Sequence, residues 1–383
     1  MKRLAILGST GSIGRQGLEV AARHPDRLEV VALGAGSDLN GLCDQARRMK
    51  PRGVALERAA DVESARAALQ AAAPTARVEI GPGAATRLIE GVPCDQVLNG
   101  IVGAAGLAPS LAALDAKARL ALANKETLVV GGALIQGALA RGGELIPVDS
   151  EHSAALQCLG GRPTAEVARL TLTASGGPLR RHPSWRNATP AEVLAHPVWA
   201  MGPRITVDSA LLFNKGLELI EARWLFALSW PQLAAVLHPQ ARVHAMVEFI
   251  DGSVIAQAGA PDMRLPIQLA LSWPERWPDE SLPRLEHPLE ALEFEPIVPG
   301  RFPAFELAVA AGREGGTAPC VVNAADEVAV QAFLDGAISL GQVPEVIARV
   351  LGAHETKTVE SLAQLQEVDA WARAEARGQA VRV

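Results

Sequence analysis

The chain of 383 residues contains few cysteines and no excess of positive charge. Its four cysteines are scattered without a CxxC pair, which argues against a disulfide framework or a zinc site and is typical of a reducing cytosol. The formal net charge is −6 and no Lys/Arg-rich run occurs, so we expect no nucleic-acid partner. A phosphorylated substrate stays compatible with this charge, because one local cationic pocket is enough to bind it.

Long apolar stretches are absent as well. No run approaches the length that a membrane span needs, and the first apolar run is too short for a signal peptide. We therefore expect a cytoplasmic protein with no membrane partner. The composition, 49% hydrophobic and 20% charged, is that of a globular chain long enough for two or three domains.

Short apolar runs alternate with helical patterns over the first 145 residues, which predicts a doubly wound, mostly parallel α/β sheet. The predicted strands cover residues 4–7, 28–33, 53–56, 77–80, 96–102 and 119–123, and the predicted helices cover residues 16–23, 65–73 and 108–118.

A glycine-rich turn, GSTGSIG at residues 8–14, connects the first strand to the first helix. Glycines let the backbone approach a pyrophosphate, and the helix N-terminus supplies N–H groups. The spacing is GxxGxxG rather than GxGxxG, and no Gly-Lys-Ser/Thr follows, which excludes a P-loop. The turn predicts a dinucleotide site; the alternative is a tight turn without a ligand.

The segment after the second strand, residues 34–40, is where such folds bind the adenosine ribose. An acid there favours NAD, whereas the 2′-phosphate of NADP favours Arg or Lys. Asp38 therefore complicates an NADP assignment, and Ser37 or Asn40 would have to supply the polar contacts. The residues thus predict a nicotinamide cofactor but do not decide between NAD and NADP.

Two acids, Asp149 and Glu151, follow the apolar run at residues 145–148. In extended backbone, side chains two residues apart point to the same side, so the two carboxylates are expected to converge. With no cysteine or paired histidine nearby, Mg²⁺ or Mn²⁺ is the suitable ion. The alternative is a polar loop that happens to contain two acids.

Two further segments end predicted strands with polar residues. Lys125 follows the strand at 119–123, at the edge where open α/β sheets bind ligands, and it is either a substrate contact or a solvated loop charge. Ser175-Gly176-Gly177 follows a predicted strand at 170–173 and has the composition of an anion cradle, or of an ordinary turn.

Residues 182–203 are rich in proline and include His196, Trp199 and Met201. A segment with large apolar side chains and one histidine is typical of a lid that excludes water from a site. The alternative is a surface loop that packs its tryptophans on the body of the protein.

A helix predicted at residues 209–221 contains Ser209, Asn214 and Lys215, a set suited to a phosphate. Glu218 and Glu221 are both candidate carboxylates for the metal. The alternative for this segment is a Lys–Glu pair on the surface, which is common and weak.

The remaining sequence predicts one hairpin and a set of helices. Residues 243–257 alternate around Asp251-Gly252, a two-residue hairpin signal. Prolines recur from 274 to 303 as in an irregular linker, and helical patterns follow. Asn323 is expected to cap the start of one of them. The helical patterns cover residues 304–313, 324–334, 343–351 and 359–376.

Taken in order, the motifs resemble those of the 1-deoxy-D-xylulose 5-phosphate reductoisomerase family, over essentially the whole chain. They are residues 8–14 (GSTGSIG), 123–126 (ANKE), 147–152 (PVDSEH), 175–177 (SGG), 207–210 (VDSA), 214–218 (NKGLE), 220–226 (IEARWLF) and 238–240 (HPQ).

The resemblance implies conversion of 1-deoxy-D-xylulose 5-phosphate into 2-C-methyl-D-erythritol 4-phosphate with NADPH and Mn²⁺ or Mg²⁺ (Co²⁺ is possible), by a homodimer. The sequence patterns predict a Rossmann-like dinucleotide-binding domain at 1–147, an α+β catalytic and dimerisation domain at 148–273, a linker at 274–303 and a helical domain at 304–383.

The resemblance also implies residue roles. The implied metal ligands are Asp149, Glu151 and Glu218. The implied substrate contacts are Lys125, Ser150, Glu151 and Glu218, with Ser175, Ser209, Asn214 and Lys215 at the phosphate and His196, Trp199 and Met201 in the lid. Catalysis is expected to involve Lys125, Asp149, Glu151, Glu218 and His196. The expected cofactor contacts are Thr10, Gly11, Ser12, Ile13, Gly36, Asn124, Glu126 and Gly202, together with Ser37 and Asn40.

Two segments depart from the family pattern. Ser37-Asp38 replaces a basic or amide residue of many relatives, and Pro203-Arg204 replaces a basic residue and a lysine. The competing hypotheses are a nicotinamide-dependent dehydrogenase that needs no metal, and a cofactor-binding regulator without catalysis. The dehydrogenase would not need the three acids Asp149, Glu151 and Glu218. The regulator would be expected to have lost some of the site residues.

Overall fold

The computed structural model describes residues 1–195, 197–198, 201–286 and 291–382, which form two compact units. Unit 1 comprises Met1–Thr127, Ile135–Ser153 and Asp262–Pro283. Unit 2 comprises Leu128–Leu134, Ala154–Pro261 and Arg284–Val383.

The first part of the chain alternates strands and helices, as predicted. In order, the elements are β1 (Lys2–Leu7), α1 (Ser12–Arg23), β2 (Leu28–Ala35), α2 (Leu39–Met49), β3 (Gly53–Leu56), α3 (Val62–Ala72), β4 (Arg77–Ile80), α4 (Ala84–Gly91), β5 (Gln96–Asn99), α5 (Leu107–Asp115), β6 (Arg119–Leu122), α6 (Glu126–Ala140), β7 (Glu144–Pro147) and α7 (Ser150–Leu159).

The seven strands of unit 1 form one parallel sheet in the order β4-β3-β2-β1-β5-β6-β7. Its first strand contains a continuous apolar run, the fully buried Leu4 to Leu7, as expected when helices cover both faces of a sheet. The strand order reverses between β1 and β5, which confirms the predicted doubly wound, Rossmann-like fold.

The rest of the chain contains a second sheet and a group of helices. In order, the elements are β8 (Val167–Ala174), α8 (Pro190–Leu194), α9 (Pro203–Ala210), α10 (Phe213–Phe226), β9 (Leu233–Leu237), β10 (Val243–Phe249), β11 (Val254–Ala258), α11 (Arg264–Ser272), α12 (Pro303–Glu314), α13 (Ala318–Leu334), α14 (Val343–Gly352) and α15 (Leu362–Ala380). Within the described residues, no helix is both long and apolar enough to cross a bilayer.

The second sheet, in unit 2, has the order β11-β10-β8-β9. The predicted hairpin is confirmed, since β10 and β11 pair antiparallel and Gly252 in their turn has φ +84°. The helices α12, α13, α14 and α15 pack around one apolar cluster, which confirms the predicted helical region.

The predicted helix at 209–221 is confirmed from residue 213 onward, where it forms part of α10, but the chain breaks between α9 and α10. Leu212 at the break has φ +54°. Leu211 and Phe213 enter the helical core, whereas Leu212 packs with Phe302 and Leu237 in another cluster. A continuous helix could not direct three consecutive apolar side chains into two cores, so burial favours the break.

The expected N-cap at Asn323 is also wrong. Helix α13 begins at Ala318, with Pro319 in its first turn, a favoured position for proline. Asn323 lies inside the helix and is fully buried. Its side chain donates to Glu327 Oε1 at 3.1 Å and accepts from Arg204 Nη2 at 3.1 Å.

Candidate active site

The glycine-rich turn between β1 and α1 has a backbone that only glycine accommodates. Gly8 has φ +73°, and a Cβ there would lie 2.6 Å from the carbonyl oxygen of Gly100, beyond β5. A Cβ at Gly14 would lie 2.3 Å from the Gly8 oxygen. The turn therefore sits at the reversal of strand order and leaves Gly11 and Ser12 exposed at the start of α1. These features fit a dinucleotide pyrophosphate.

The predicted cofactor residues Asn124 and Glu126 shape the loop after β5. Asn124 Nδ2 donates to the carbonyl oxygens of Ile101 at 2.6 Å and Gly103 at 2.9 Å. Glu126 Oε1 accepts from the Gly103 N–H at 3.1 Å. Direct contacts of Asn124 and Glu126 with a cofactor remain predictions, and so do the contacts predicted for Thr10 and Ile13.

The predicted ribose segment is exposed at Gly36, Ser37 and Asn40. Asp38 caps α2: its Oδ1 accepts from the backbone N–H of Gly41 at 2.9 Å. The acid that complicates an NADP assignment is thus directed at the N-terminus of its own helix.

Lys125 and Asp149 form a buried ion pair in unit 1. Lys125 follows β6 and Asp149 follows the adjacent parallel strand β7, so both residues lie at the same edge of the sheet. Lys125 Nζ lies 3.1 Å from Asp149 Oδ2, and each residue is only 8% exposed. The alternative of a solvated loop charge at Lys125 is wrong.

Asp149 and Glu151 converge, although not for the predicted reason. The strand ends at Pro147, and Glu151 lies in the first turn of α7, so the backbone is not extended between the two acids. A carboxylate oxygen of each nevertheless lies within 4.8 Å of the other. Ser150 Oγ donates to Glu151 Oε2 at 2.7 Å. Oxygen donors at this spacing suit a hard divalent cation.

Within unit 2, the first turns of α10 contain the predicted Asn214, Lys215 and Glu218. Asn214 Nδ2 and Lys215 Nζ both donate to the Glu218 carboxylate. Lys215 is 4% and Glu218 2% exposed, so the alternative of a surface Lys–Glu pair is wrong. A buried, charged pair of this kind is costly to maintain, which is typical of a functional site.

The two predicted phosphate-binding serines lie on adjoining segments of unit 2. The Gly177 N–H donates to Ser175 Oγ at 3.2 Å, and Gly177 has φ +62°. A Cβ at Gly177 would lie 2.8 Å from Ala210 Cα and 3.1 Å from the Ser209 oxygen. The Ser-Gly-Gly turn therefore rests directly on the end of α9, where Ser209 lies.

The predicted lid is described only in part, because His196 and Trp199 lie outside the described residues. Met201 is half-buried, and the exposed Gly202 precedes α9. Trp185 packs against the helical core, as the surface-loop alternative expects for that side chain. Closure of the segment stays a prediction.

The sequence reasoning missed a buried charge cluster around Arg204, at the start of α9. Its guanidinium lies 3.6 Å from Asp208 Oδ2, 3.4 Å from Asp326 Oδ2 and 3.1 Å from Glu327 Oε1. Burial, and next the charge of Asp208, raise the pKa of Asp326 well above its ordinary value. The i, i+4 spacing of Arg204 and Asp208 in the sequence could have indicated an ion pair within α9, but nothing in it indicated that Arg204 also contacts acids of α13.

Three family models match the chain. Residues 4–132 match "1-deoxy-D-xylulose 5-phosphate reductoisomerase", residues 145–226 match its C-terminal domain, and residues 258–375 match "DXP reductoisomerase C-terminal domain". Relatives with the same name include a protein of Leifsonia xyli, 48% identical over 98% of this chain and 98% of its own. Another, of Kitasatospora griseola, is 48% identical over 98% of this chain and 99% of its own.

Solved structures of this kind share the fold. The reductoisomerase of Zymomonas mobilis in complex with NADPH has a TM-score of 0.91 and 36% identity, over 99% of this chain and 98% of that one. A reductoisomerase in complex with NADPH, fosmidomycin and magnesium has a TM-score of 0.91 and 34% identity, with the same coverage.

We expect Asp326→Asn to change how stability depends on pH. Because the folded-state pKa of Asp326 is raised, its contribution to stability is full below its unfolded value of about 3.8. That contribution is lost as the pH rises through the folded pKa. The variant should therefore gain free energy of unfolding relative to wild type as the pH rises above about 4, by at most about 1.4 kcal/mol per pH unit.

Chemical unfolding at a series of pH values measures this difference. Asp335→Asn, at an exposed acid that ends the same helix, is the control for the substitution itself. Parallel stability curves for wild type and Asp326→Asn would contradict the assignment of a raised pKa.

Proposed function

Because the chain belongs to the 1-deoxy-D-xylulose 5-phosphate reductoisomerase family, we propose that it converts 1-deoxy-D-xylulose 5-phosphate into 2-C-methyl-D-erythritol 4-phosphate. The observation that carries this proposal is likeness over the full length, at 48% identity to a relative of that name. The buried polar groups at the carboxyl ends of β6 and β7 support it, since this is where open α/β sheets bind ligands. The reaction is an NADP-dependent reduction coupled to a rearrangement of the carbon skeleton.

NADPH is the proposed reductant, and it supplies a hydride when bound. A similar protein, from Zymomonas mobilis, was solved with NADPH. The glycine turn of this chain fits the pyrophosphate, because a Cβ at Gly8 or Gly14 would meet backbone atoms. The residues proposed to line the cofactor are Thr10, Gly11, Ser12, Ile13, Gly36, Ser37, Asn40, Asn124, Glu126 and Gly202.

Asp149, Glu151 and Glu218 are the proposed ligands of a divalent cation. Magnesium is present in a similar solved structure, and Mn²⁺ and Co²⁺ suit the same oxygen donors. A bound cation supplies Lewis acidity toward the substrate carbonyl. Lys125 orients the Asp149 carboxylate through their ion pair. With Ser150 it is also proposed to hydrogen-bond the substrate hydroxyls.

The phosphate end of the substrate is proposed to bind Ser175, Ser209, Asn214 and Lys215. Lys215 is a buried cation, and a phosphate beside it would compensate the cost of its desolvation. The Ser-Gly-Gly turn adds a hydroxyl and backbone N–H groups. His196, Trp199 and Met201 are proposed to close over the substrate and exclude water.

The division into domains at 1–147, 148–273 and 304–383 with a linker at 274–303, and a location in the cytoplasm, remain predictions. We also propose a homodimer, because β11 is an edge strand with Val254 58% and Ile255 44% exposed. Sedimentation velocity should give about twice the chain mass of 40.1 kDa. A monomer at micromolar concentration would contradict this proposal.

The reaction is tested by following NADPH oxidation with 1-deoxy-D-xylulose 5-phosphate, with and without Mn²⁺. We expect oxidation that requires the metal and yields the branched methylerythritol phosphate. The competing hypothesis of a plain dehydrogenase predicts turnover that is indifferent to a chelator, with an unbranched product. The hypothesis of a regulator without catalysis predicts cofactor binding without turnover.

We expect Glu218→Gln to weaken Mn²⁺ binding by more than about tenfold, since it removes one proposed charged ligand. Glu221→Gln is the matched control, because Glu221 is a buried acid one turn later on α10. Titration of the purified variants with Mn²⁺, followed by electron paramagnetic resonance of the free ion, measures both affinities. If Glu221→Gln loses as much Mn²⁺ affinity as Glu218→Gln, or more, the proposal that Glu218 is the metal ligand is contradicted.

A further inference from the structure

The 2′-phosphate of NADPH requires a cationic contact that the usual segment of this chain does not supply. Residues 36–40, which follow β2, contain Ser37, Asp38 and Asn40 but no lysine or arginine. An uncompensated Asp38 would repel a second anion at this position. Binding of NADPH by this chain therefore calls for a cation from another element.

The charge of Asp38 is largely engaged by its own helix. Its Oδ1 accepts from the Gly41 N–H at 2.9 Å, at the N-terminus of α2. A carboxylate at that position is stabilised by the helix dipole, which offsets part of its field. The repulsion between Asp38 and the 2′-phosphate is thereby reduced, but the capped carboxylate does not attract the phosphate.

Arg58 lies beside the same segment. Beyond the ends of β2 and β3 the parallel pairing continues: the Glu57 N–H donates to the Ala35 oxygen at 3.0 Å, and the Arg58 N–H to the Gly36 oxygen at 2.8 Å. Arg58 Nη2 lies 3.7 Å from the position that a Cβ on Gly36 would occupy. Both Arg58 and Gly36 are exposed.

The acids close to Arg58 in sequence are bound to backbone N–H groups. Glu57 Oε1 accepts from the Gly83 N–H at 2.6 Å, and Asp61 Oδ1 accepts from the Glu63 N–H at 3.0 Å. Within the described part of the chain, the Arg58 guanidinium makes no ion pair. Among the residues that the structure describes it has no anionic partner, and it lies at the carboxyl edge of the sheet, where the adenosine ribose binds in this fold.

We propose that Arg58 binds the 2′-phosphate of NADPH and determines the preference of this chain for NADPH over NADH. The proposal rests on the proposed function, which supplies the cofactor. A guanidinium presents paired donors that match phosphate oxygens, and a charged contact of this kind raises affinity by about 10- to 100-fold. The absence of a side chain at Gly36 leaves the guanidinium accessible from that side.

The test measures binding, without substrate or metal. Wild type and Arg58→Gln are titrated with NADPH and with NADH by isothermal calorimetry. We expect Arg58→Gln to lose about 10- to 100-fold in NADPH affinity and to keep its NADH affinity within about twofold. Adenosine 2′,5′-bisphosphate and adenosine 5′-phosphate, used as fragments, should show the same selective loss.

Two further variants serve as controls. Arg47→Gln removes an exposed arginine of α2 that pairs with Asp44, and it should leave both affinities unchanged. Arg58→Lys keeps the charge without the paired donors and should lie between wild type and Arg58→Gln. Unchanged thermal midpoints would show that all variants fold.

A loss of NADPH affinity below about fivefold in Arg58→Gln, or an equal loss for NADH, overturns the proposal and makes Arg58 a solvated surface residue. Neither result affects the proposed reaction. Failure of wild type to bind NADPH at all would instead contradict the proposed function.

Discussion

The carboxyl ends of seven parallel strands meet at one edge of a sheet, and the polar groups of unit 1 depend on that constraint. The glycine turn follows β1, Gly36 follows β2, Arg58 follows β3, Lys125 follows β6 and Asp149 follows β7. Residues far apart in sequence thus share one edge without any loop having to reach across the molecule. A strand register shifted by one residue would turn these side chains to the opposite face.

Buried charge is the second constraint, and it distinguishes the candidate site from the apolar cores. The pairs Lys125–Asp149 in unit 1 and Lys215–Glu218 in unit 2 are nearly inaccessible to water. Replacing such a pair by apolar side chains is often neutral or stabilising, so packing alone does not explain them. The proposed substrate and divalent cation would supply partners for these buried charges. The Arg204 cluster imposes a similar desolvation cost between α9 and α13, away from these pairs in sequence.

Local patterns predicted most of the architecture. Alternating apolar runs and helical patterns gave the parallel sheet, Asp251-Gly252 gave the hairpin, and the positions of Lys125 and Asp149 after strands placed them at one edge. The errors arose where long-range burial overrode local signals. Leu212 breaks a helix because two cores compete for consecutive apolar residues. Asn323 lies inside a helix because Pro319 already begins it.

The sequence by itself determined the fold class and the family, and it predicted the candidate site residues, because each depends on residue types at short, fixed spacings. Only the tertiary structure decided which charged side chains are buried, which acids bind the N–H groups of their own helices, and which arginine lies beside Gly36. Arg58 is 22 positions beyond Gly36 and Asp326 is 122 beyond Arg204, and no local pattern links either pair. Strand pairing and helix packing bring them together, since these depend on the burial of the whole chain.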